Sequence, residues 1–405
     1  MKKIVSFISV LALLTISLFA KDNSLTYNTE KAIVDKGSVK FEDIGAKETV
    51  SRMITGWNLG NTLDANNGSH AGLSSETCWS QPKTTKEMID GLAKSGIKTI
   101  RIPVSWSNHI IDKNYTIDPK WMSRVKEIVD WAIENDMYVI LNSHHDVYHS
   151  NTQMPYGKGY YPSSKNYDES AAFLKNLWAQ ISLAFNNGYD EHLIFETLNE
   201  PRLRGTNQEW WFDSSKNESI DAAQVLNNFN QLIVDTIRSS KGNNTKRCIM
   251  VPGLAASPSS ALAKEFVIPK DKKENHIIIS VHMYTPYSFA MESPGQTVFS
   301  ERLKNELAQN IISLDKKFVQ NGYPVVIGEY GATNKNNLEE RVKWFEFFNN
   351  FARKHGMVAV LWDNGAYQVT GQDYNEKYGF YNRRNQTWYF PEILEAIHKG
   401  CQIKE

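Results

Sequence analysis

The chain has 405 residues, with 45 lysines and arginines against 45 aspartates and glutamates. This balance leaves no basic surface of the kind that binds nucleic acid or anionic lipid, so neither is expected as a partner. The three cysteines, Cys78, Cys248 and Cys401, are too few for a disulfide framework. Cys78 and Cys401 could pair, and the sequence alone leaves that question open.

The N-terminus has the features of a secretory signal. Two lysines follow the initial methionine, an apolar stretch comes next, and it ends on a small residue, Ala20. A transmembrane anchor would need about 20 apolar residues, and serines and a threonine interrupt this stretch. We predict that residues 1–20 are a signal peptide, that the protein is secreted to the periplasm or the extracellular space, and that residues 21–46 form a short polar extension. No other segment is apolar enough to cross a membrane.

Segments typical of strands and helices alternate from residue 47 to about residue 400. Strands that are apolar on both faces and alternate with helices form a parallel sheet that is covered on both sides. Eight such units fit a (β/α)8 TIM barrel in a single domain better than an open sheet, because no glycine-rich phosphate loop follows the first strand. The strands are predicted to end near Leu59, Val104, Asn142, Leu198, Pro252, Met283, Ile327 and Trp362, and helices to cover 119–135, 171–185, 225–239, 301–319, 339–355 and 391–398.

Polar residues gather where these strands end. The fourth strand runs into Asn199, Glu200 and Pro201 in the segment IFETLNEPR, where an ordinary core strand would keep apolar residues. Other strands end in the same way, in the segments NLGNTLD, TIRIPV, LNSHHD, HMY, GEYG and LWDNG. One or two such ends could arise by chance, but six with complementary chemistry indicate a site at the C-terminal end of the barrel, where barrel enzymes hold their catalytic groups.

Two carboxylates dominate this set, Glu200 after the fourth strand and Glu329 in the seventh strand end. Glycosidic bonds are cleaved by such a pair, one protonated to assist the leaving oxygen and one ionised to attack the sugar or to activate water. Arg101 and Tyr284 could hold Glu329 as the anion, although a buried arginine could also serve only to neutralise an acid. Two further side chains suit a sugar, an amide for its hydroxyl and a flat indole for its ring: Asn199 and Trp362.

The histidines after the third strand allow several interpretations. His144 and His145 could bind a sugar, pack in the core, or bind a metal together with His149. Adjacent residues of a strand point to opposite faces, which argues against one metal centre that takes both His144 and His145. The sequence has no H-E-x-x-H segment, zinc-type Cys/His pairing or EF-hand loop, and DNGAYQ at 363–368 is too incomplete to indicate calcium. We therefore predict no metal and no cofactor.

Seven segments together resemble glycoside hydrolase family 5: GWNLGNTLDA, RIPVSW, LNSHHD, TLNEPR, SVHMY, IGEYGA and LWDNG. They span residues 56–364 in the family's order, and the first segment and the double histidine are most similar to its cellulase branch of endo-β-1,4-glucanases and xyloglucanases. The resemblance implies a (β/α)8 barrel with Glu200 as acid/base and Glu329 as nucleophile. It also implies contacts to the sugar from Arg101, His144, Asn199, His282, Tyr284 and Trp362, with His145 and Asn61 on the non-reducing side.

The expected function is that of a secreted retaining endo-β-1,4-glucanase acting on internal bonds of cellulose, xyloglucan or mixed-linkage β-glucan by double displacement. An endo-β-1,4-mannanase and a non-catalytic sugar-binding barrel are the alternatives, and the presence of both glutamates argues against the second. We expect a monomer whose partner is the polysaccharide. Trp210 and Trp211 could stack on a sugar from a cleft wall or pack within their own loop.

Overall fold

The computed structural model describes residues 25–67, 72–148 and 159–402. Eight parallel strands close into a barrel in sequence order, and the last strand pairs with the first. This confirms the predicted (β/α)8 barrel. The strands are β1 Gly56–Asn58, β2 Thr99–Ile102, β3 Tyr138–Asn142, β4 Leu193–Glu196, β5 Ile249–Pro252, β6 Ile277–His282, β7 Val325–Tyr330 and β8 Val358–Leu361, followed by a small antiparallel pair, β9 Tyr381–Asn382 and β10 Thr387–Trp388. The predicted signal peptide at 1–20 and His149 lie outside the described residues.

Helices cover the outside of the barrel and one of its ends. They are α1 Gly45–Met53, α2 Lys86–Lys94, α3 Pro119–Glu134, α4 Tyr167–Ala184, α5 Asn217–Ser239, α6 Pro258–Leu262, α7 Tyr287–Ala290, α8 Glu301–Lys317, α9 Leu338–Lys354 and α10 Pro391–Cys401. At the start of α3, the side chain of Asp118 accepts the N–H of Lys120 at 2.9 Å, as an N-cap residue does before a proline at the first helical position. Within the described ranges, no helix is long and apolar enough to cross a membrane.

Several boundaries differ from the sequence prediction. β7 continues past the predicted end at Ile327 to Tyr330, so Glu329 belongs to the strand itself. α5 begins at Asn217, well before the predicted start at residue 225, because its first turns are polar and the apolar period becomes visible only later. The short helices α1, α2, α6 and α7 were not predicted from the pattern, since each offers too few turns for a clear periodicity.

Side chains that point into the barrel form two layers of opposite chemistry. The lower layer, near the N-terminal ends of the strands, is apolar and packs against Ala46, Val50 and Met53 of α1. Two residues further along a strand, a side chain points inward again, and there the upper layer is polar. The lower layer comprises Ile140, Ile194, Met250, Ile278, Val326 and Val360. The upper layer comprises Asn58, Arg101, Asn142, Glu196 and Ser280, all fully buried.

The segment that precedes α1 lies against α4. The Oδ1 atom of Asn176 in α4 accepts the N–H groups of Thr26 and Tyr27 at 2.7 and 3.1 Å. α1 begins at Gly45, so the last two residues of the predicted extension are helical.

The three cysteines are free thiols. Cys78 is exposed, whereas Cys401 is buried at the end of α10 with its Sγ atom 3.4 Å from the carbonyl oxygen of Ile54. The pairing of Cys78 with Cys401 that the sequence left open is not formed.

Candidate active site

Arg101 lies at the centre of the barrel's C-terminal end and is fully buried. Each of its N–H bonds has an acceptor, and a guanidinium whose donors are all used is held in one orientation. Its position therefore fixes two carboxylates, two amides and an imidazole around one point. Nε donates to Glu196 Oε2 at 2.7 Å, Nη1 to Asn58 Oδ1 at 2.9 Å and to Glu329 Oε1 at 2.8 Å, and Nη2 to Asn199 Oδ1 at 2.7 Å and to His282 Nε2 at 3.3 Å.

Glu329 accepts hydrogen bonds at both of its oxygens. Arg101 donates to Oε1, and the hydroxyl of Tyr284 donates to Oε2 at 2.9 Å. The pairing of β6 with β7 places His282 directly beside Glu329, with Nδ1 at 3.6 Å from Oε2. Burial raises the pKa of the Glu329 carboxyl on balance, although the positive charge and hydrogen bond of Arg101 oppose that rise. The two donors orient the carboxylate and stabilise it as an anion.

Glu200 lies just after β4, with 16% of its side chain exposed. His282 Nδ1 lies 2.8 Å from Glu200 Oε1. A carboxylate oxygen of Glu200, a ring nitrogen of His282 and a carboxylate oxygen of Glu329 all lie within 4.8 Å of one another. Because Arg101 can only donate, their contact makes His282 Nε2 an acceptor and leaves the ring's N–H on Nδ1, facing Glu200. Burial raises the pKa of Glu200, but the hydrogen bond from His282 and the nearby positive charge outweigh it and lower that pKa to about 2. Without substrate, Glu200 is thus the more readily ionised of the two carboxyls.

The remaining predicted residues form a wall beside this cluster. The ring of Trp362, just after β8, lies parallel to that of His144, with centroids 5.9 Å apart. His145 packs edge-on against His144 at 4.4 Å, and burial lowers the pKa of both histidines, which keeps them neutral. Asn61 adopts a left-handed φ of 57° after Gly60, where an added Cβ would lie 2.9 Å from the Trp362 ring. All of the predicted site residues therefore lie at this end of the barrel.

The two adjacent histidines do not point apart, and the argument from strand alternation was wrong. β3 has already ended before His144, and the loop turns both rings to one side, so a rule for strands did not apply. A carboxylate oxygen of Asp64 and one ring nitrogen each of His144 and His145, atoms that could bind a metal, lie within 4.8 Å of one another. Asp64 already accepts the N–H groups of Thr62 at 2.7 Å and Asn61 at 3.0 Å, which occupies both carboxylate oxygens.

Asp363 in the segment DNGAYQ is bonded to groups of the protein itself. Its carboxylate accepts the indole N–H of Trp57 at 2.9 Å and the backbone N–H groups of Gly365, Phe380 and Tyr381 at 2.8, 3.1 and 2.8 Å. These contacts join the loop after β8 to β1 and β9, across the seam where the first and last barrel strands meet.

Sequence reasoning missed the polar residues below the carboxylates, above all Glu196. This side chain is fully buried in β4, where Asn142 Nδ2 donates to Oε2 at 2.9 Å and Ser280 Oγ donates to Oε1 at 2.6 Å. A glutamate inside the apolar segment LIFETL was the signal that could have found it, because inward positions of a strand recur every two residues. Glu196 shares the charge of Arg101 with Glu329.

Residues 202–211, here called the Arg202 loop, lie beside Glu200. Trp210 and Trp211 are 51% and 61% exposed, so neither packs away within the loop. The guanidinium carbon of Arg202 lies 4.3 Å from the centroid of the Trp210 ring, and its Nη1 lies 3.4 Å from Glu200 Oε2. One face of Trp210 thus rests on a group that contacts a catalytic candidate.

Comparison with known proteins identifies the family of this chain. Residues 63–368 match the family model described as cellulase, glycosyl hydrolase family 5. The chain belongs to this family. It is a glycoside hydrolase, and the resemblance seen in the seven sequence segments is confirmed. Over 359 residues it is 42% identical to endoglucanase B of Ruminococcus albus, and the match covers 88% of this chain and 81% of that protein. Over 362 residues it is 43% identical to endoglucanase A of Clostridium longisporum, and the match covers 88% of this chain and 66% of that protein.

Solved structures of family 5 share the fold at similar identity. A complex of a glycoside hydrolase 5 lichenase mutant from Caldicellulosiruptor sp. F32 with cellotetraose gives a TM-score of 0.82 at 42% identity, covering 92% of this chain and 99% of that one. A GH5-4 broad specificity endoglucanase from Ruminococcus champanellensis with bound cellotriose gives a TM-score of 0.80 at 39% identity, covering 89% and 100%. The barrel described above is therefore the barrel of the family.

Proposed function

We propose that this family 5 hydrolase is a retaining endo-β-1,4-glucanase with Glu200 as acid/base and Glu329 as nucleophile. The observation that carries the proposal is the short separation of the two carboxylates, which have oxygens within 4.8 Å of each other. Retaining glycosidases hold their carboxyl groups about 5–5.5 Å apart, whereas inverting enzymes need about 6.5–9.5 Å to admit a water. The relatives named above are endoglucanases, which supports an internal β-glucan bond as the target.

In the first step, Glu329 attacks the anomeric carbon and Glu200 gives its proton to the leaving oxygen. Arg101 and Tyr284 hold the attacking carboxylate in place. Arg101 also donates a hydrogen bond to Oδ1 of Asn199. This contact orients the side-chain amide of Asn199 so that its N–H groups are available to a sugar hydroxyl. In the second step, Glu200 takes a proton from water, the water oxygen bonds to the anomeric carbon, and the bond to Glu329 breaks.

Substrate binding must move a proton onto Glu200, because its pKa of about 2 keeps it ionised in the empty site. A glucan chain that covers the exposed part of this side chain removes water from it, and desolvation disfavours a charged carboxylate. Glu329 keeps its two donors during the same event. Two carboxylates at this distance hold one proton between them, and covering Glu200 shifts that proton toward it.

The stereochemistry of the first product tests the mechanism. Proton NMR during hydrolysis of a cello-oligosaccharide should show the β anomer first, and an α anomer formed first would overturn the assignment. On a dinitrophenyl cellobioside with azide added, Glu200→Ala should give the retained β-glycosyl azide, because this leaving group needs no proton and the covalent intermediate still forms. Glu329→Ala should give the inverted α-glycosyl azide, because azide fills the space of the nucleophile. The reverse pattern would mean that the roles are exchanged.

The substrate is proposed to be cellulose, xyloglucan or mixed-linkage β-glucan. A lichenase and a broad specificity endoglucanase among the solved relatives support a range of glucans. Product analysis on carboxymethylcellulose, barley glucan, xyloglucan, xylan and mannan checks the range, and turnover confined to mannan would contradict it.

The chemistry needs no metal, because two carboxylates suffice for double displacement. Turnover should therefore survive exhaustive dialysis against EDTA. Loss of kcat that one divalent ion restores would show that the cluster of Asp64, His144 and His145 holds a required metal.

We further propose that the enzyme works outside the cytoplasm as a monomer. The charged start and apolar stretch of residues 1–20 support export. Mass spectrometry of protein recovered from the periplasm or medium should find a mature N-terminus near residue 21, and light scattering should give the mass of one chain. Intact chains retained in a membrane fraction would contradict export.

A further inference from the structure

We propose that Arg202 is a positioning residue for the acid/base Glu200, and that its contacts with Glu209 and Trp210 let the Arg202 loop set how readily Glu200 gives up its proton. The inference rests on the proposed role of Glu200 and extends it to residues that lie outside the predicted site.

The guanidinium of Arg202 is held on three sides. Nη1 lies 3.2 Å from the carbonyl oxygen of Glu200 and 3.4 Å from its Oε2. On the other side, Nε donates to Glu209 Oε1 at 3.0 Å, and Glu209 Oε2 accepts the N–H of Gly205 at 2.9 Å. The Trp210 ring covers one face at 4.3 Å. With 10% of its side chain exposed, Arg202 is a nearly buried charge divided between two carboxylates.

This division of charge decides how strongly Arg202 acts on Glu200. The shorter contact is to Glu209, and the negative charge of Glu209 offsets part of the positive charge that Arg202 presents to Glu200. Arg202 differs from the other charged and titratable groups near Glu200 because it belongs to the loop, whereas the others lie on the barrel strands or on other loops. Those others are His282 and Tyr284 from β6 and the loop after it, Glu329 from β7, Arg101 from β2, His145 after β3, and Tyr160.

The contacts give opposite predictions for the two sides of Arg202. Positive charge there lowers the pKa of Glu200. In the substrate complex, where Glu200 carries the proton, removing the charge with Arg202→Gln therefore lets the acid keep its proton to higher pH, and the alkaline limb of kcat moves up. Glu209→Gln releases Arg202 toward Glu200, and the same limb moves down. A residue that served only to hold the loop would lower the rate at every pH without such opposite shifts.

The experiment measures kcat against pH at saturating soluble β-glucan for Arg202→Gln, Arg202→Lys and Glu209→Gln. We expect shifts of up to about one pH unit, upward for Arg202→Gln and downward for Glu209→Gln. Arg202→Lys should stay near the wild-type limb because it keeps the charge, although it loses the planar fork. Arg204→Gln is the matched control, since Arg204 lies in the same loop, is exposed and donates to the carbonyl oxygen of Val147 at 3.3 Å.

The results separate this inference from the proposed function. An alkaline limb that stays in place in both charge-removing variants, or moves the same way in both, overturns the role of Arg202. Opposite shifts on the acidic limb instead would mean that Glu200 acts as the ionised group, which overturns the assignment of acid/base and nucleophile while the contact stands. Glu209→Gln changes no buried charge near the barrel core, so it keeps the test available if Arg202→Gln does not fold.

Discussion

The two layers inside the barrel use equivalent backbone positions for opposite purposes. The lower layer is apolar and sealed by α1, and its burial stabilises the fold at about 25 cal/mol for each Å² removed from water. The upper layer buries a guanidinium, a carboxylate, two amides and a hydroxyl, which repay their desolvation only when every partner is present. In β3, β4 and β6 a step of two residues thus separates a side chain that holds the barrel together from one that holds the site. The layers should therefore respond differently to substitution.

Arg101→Met should have the largest effect, because it removes the centre of the upper layer. Glu196 and Glu329 would lose their shared counter-charge, and breaking a buried pair in this way costs about 3–5 kcal/mol. Urea unfolding should show this loss together with turnover near background. Adding Glu196→Gln should recover part of the stability and none of the activity. A variant with wild-type stability and turnover would show that Arg101 does not organise the site.

Met250→Ala tests the lower layer. The cavity left by a buried methionine costs about 2–5 kcal/mol, so the melting temperature should fall clearly. The specific activity of the folded fraction should match that of the wild type, because no group of the upper layer moves. A large fall in kcat with little change in melting temperature would mean that the layers are coupled.

Trp362→Ala should separate the same two quantities in the opposite sense. Its ring lies partly exposed beside His144, and a sugar stacked on it would remove apolar surface from water at about 25 cal/mol for each Å². We expect kcat/KM to fall by about tenfold, as a loss of about 1.4 kcal/mol implies, with a smaller change in melting temperature than for Met250→Ala. A variant that melts far below the wild type and keeps its specific activity would identify Trp362 as a packing residue.

Glu196→Gln should give the smallest change, a shift in pH profile. Without the negative charge of Glu196, Arg101 interacts more strongly with Glu329 and lowers the pKa of that carboxyl. Because Glu329 must be ionised to attack in the substrate complex, the acidic limb of kcat should move to lower pH, by less than about one unit. The melting curve is the control for folding. A limb that stays in place or moves upward would contradict the sharing of Arg101 between the two glutamates.

The same comparison explains what the sequence could predict. The fold and the mouth of the barrel were predictable because strand ends with polar residues stand out against apolar strands. Glu196 was not predicted, although a glutamate inside an apolar strand is itself a signal, because its partners Arg101, Asn142 and Ser280 come from three other strands and meet it only when the barrel closes. The joint orientation of His144 and His145 depends on where β3 ends, and boundaries are the least certain part of a pattern. The contacts of Arg202 depend on the path of a loop, for which the sequence offers no periodicity.

The contacts of Asp363 have a consequence for synthesis of the chain. β1 forms early, but its pairing with β8 is secured by the backbone N–H groups of Phe380 and Tyr381 and by Arg383, whose Nη2 donates to the carbonyl oxygen of Asp363 at 2.7 Å. Until those residues leave the ribosome, β1 remains an unprotected edge of an open sheet, and such edges invite pairing with other chains. Released chains truncated before residue 380 should thus depend on chaperones more than chains truncated just after Arg383.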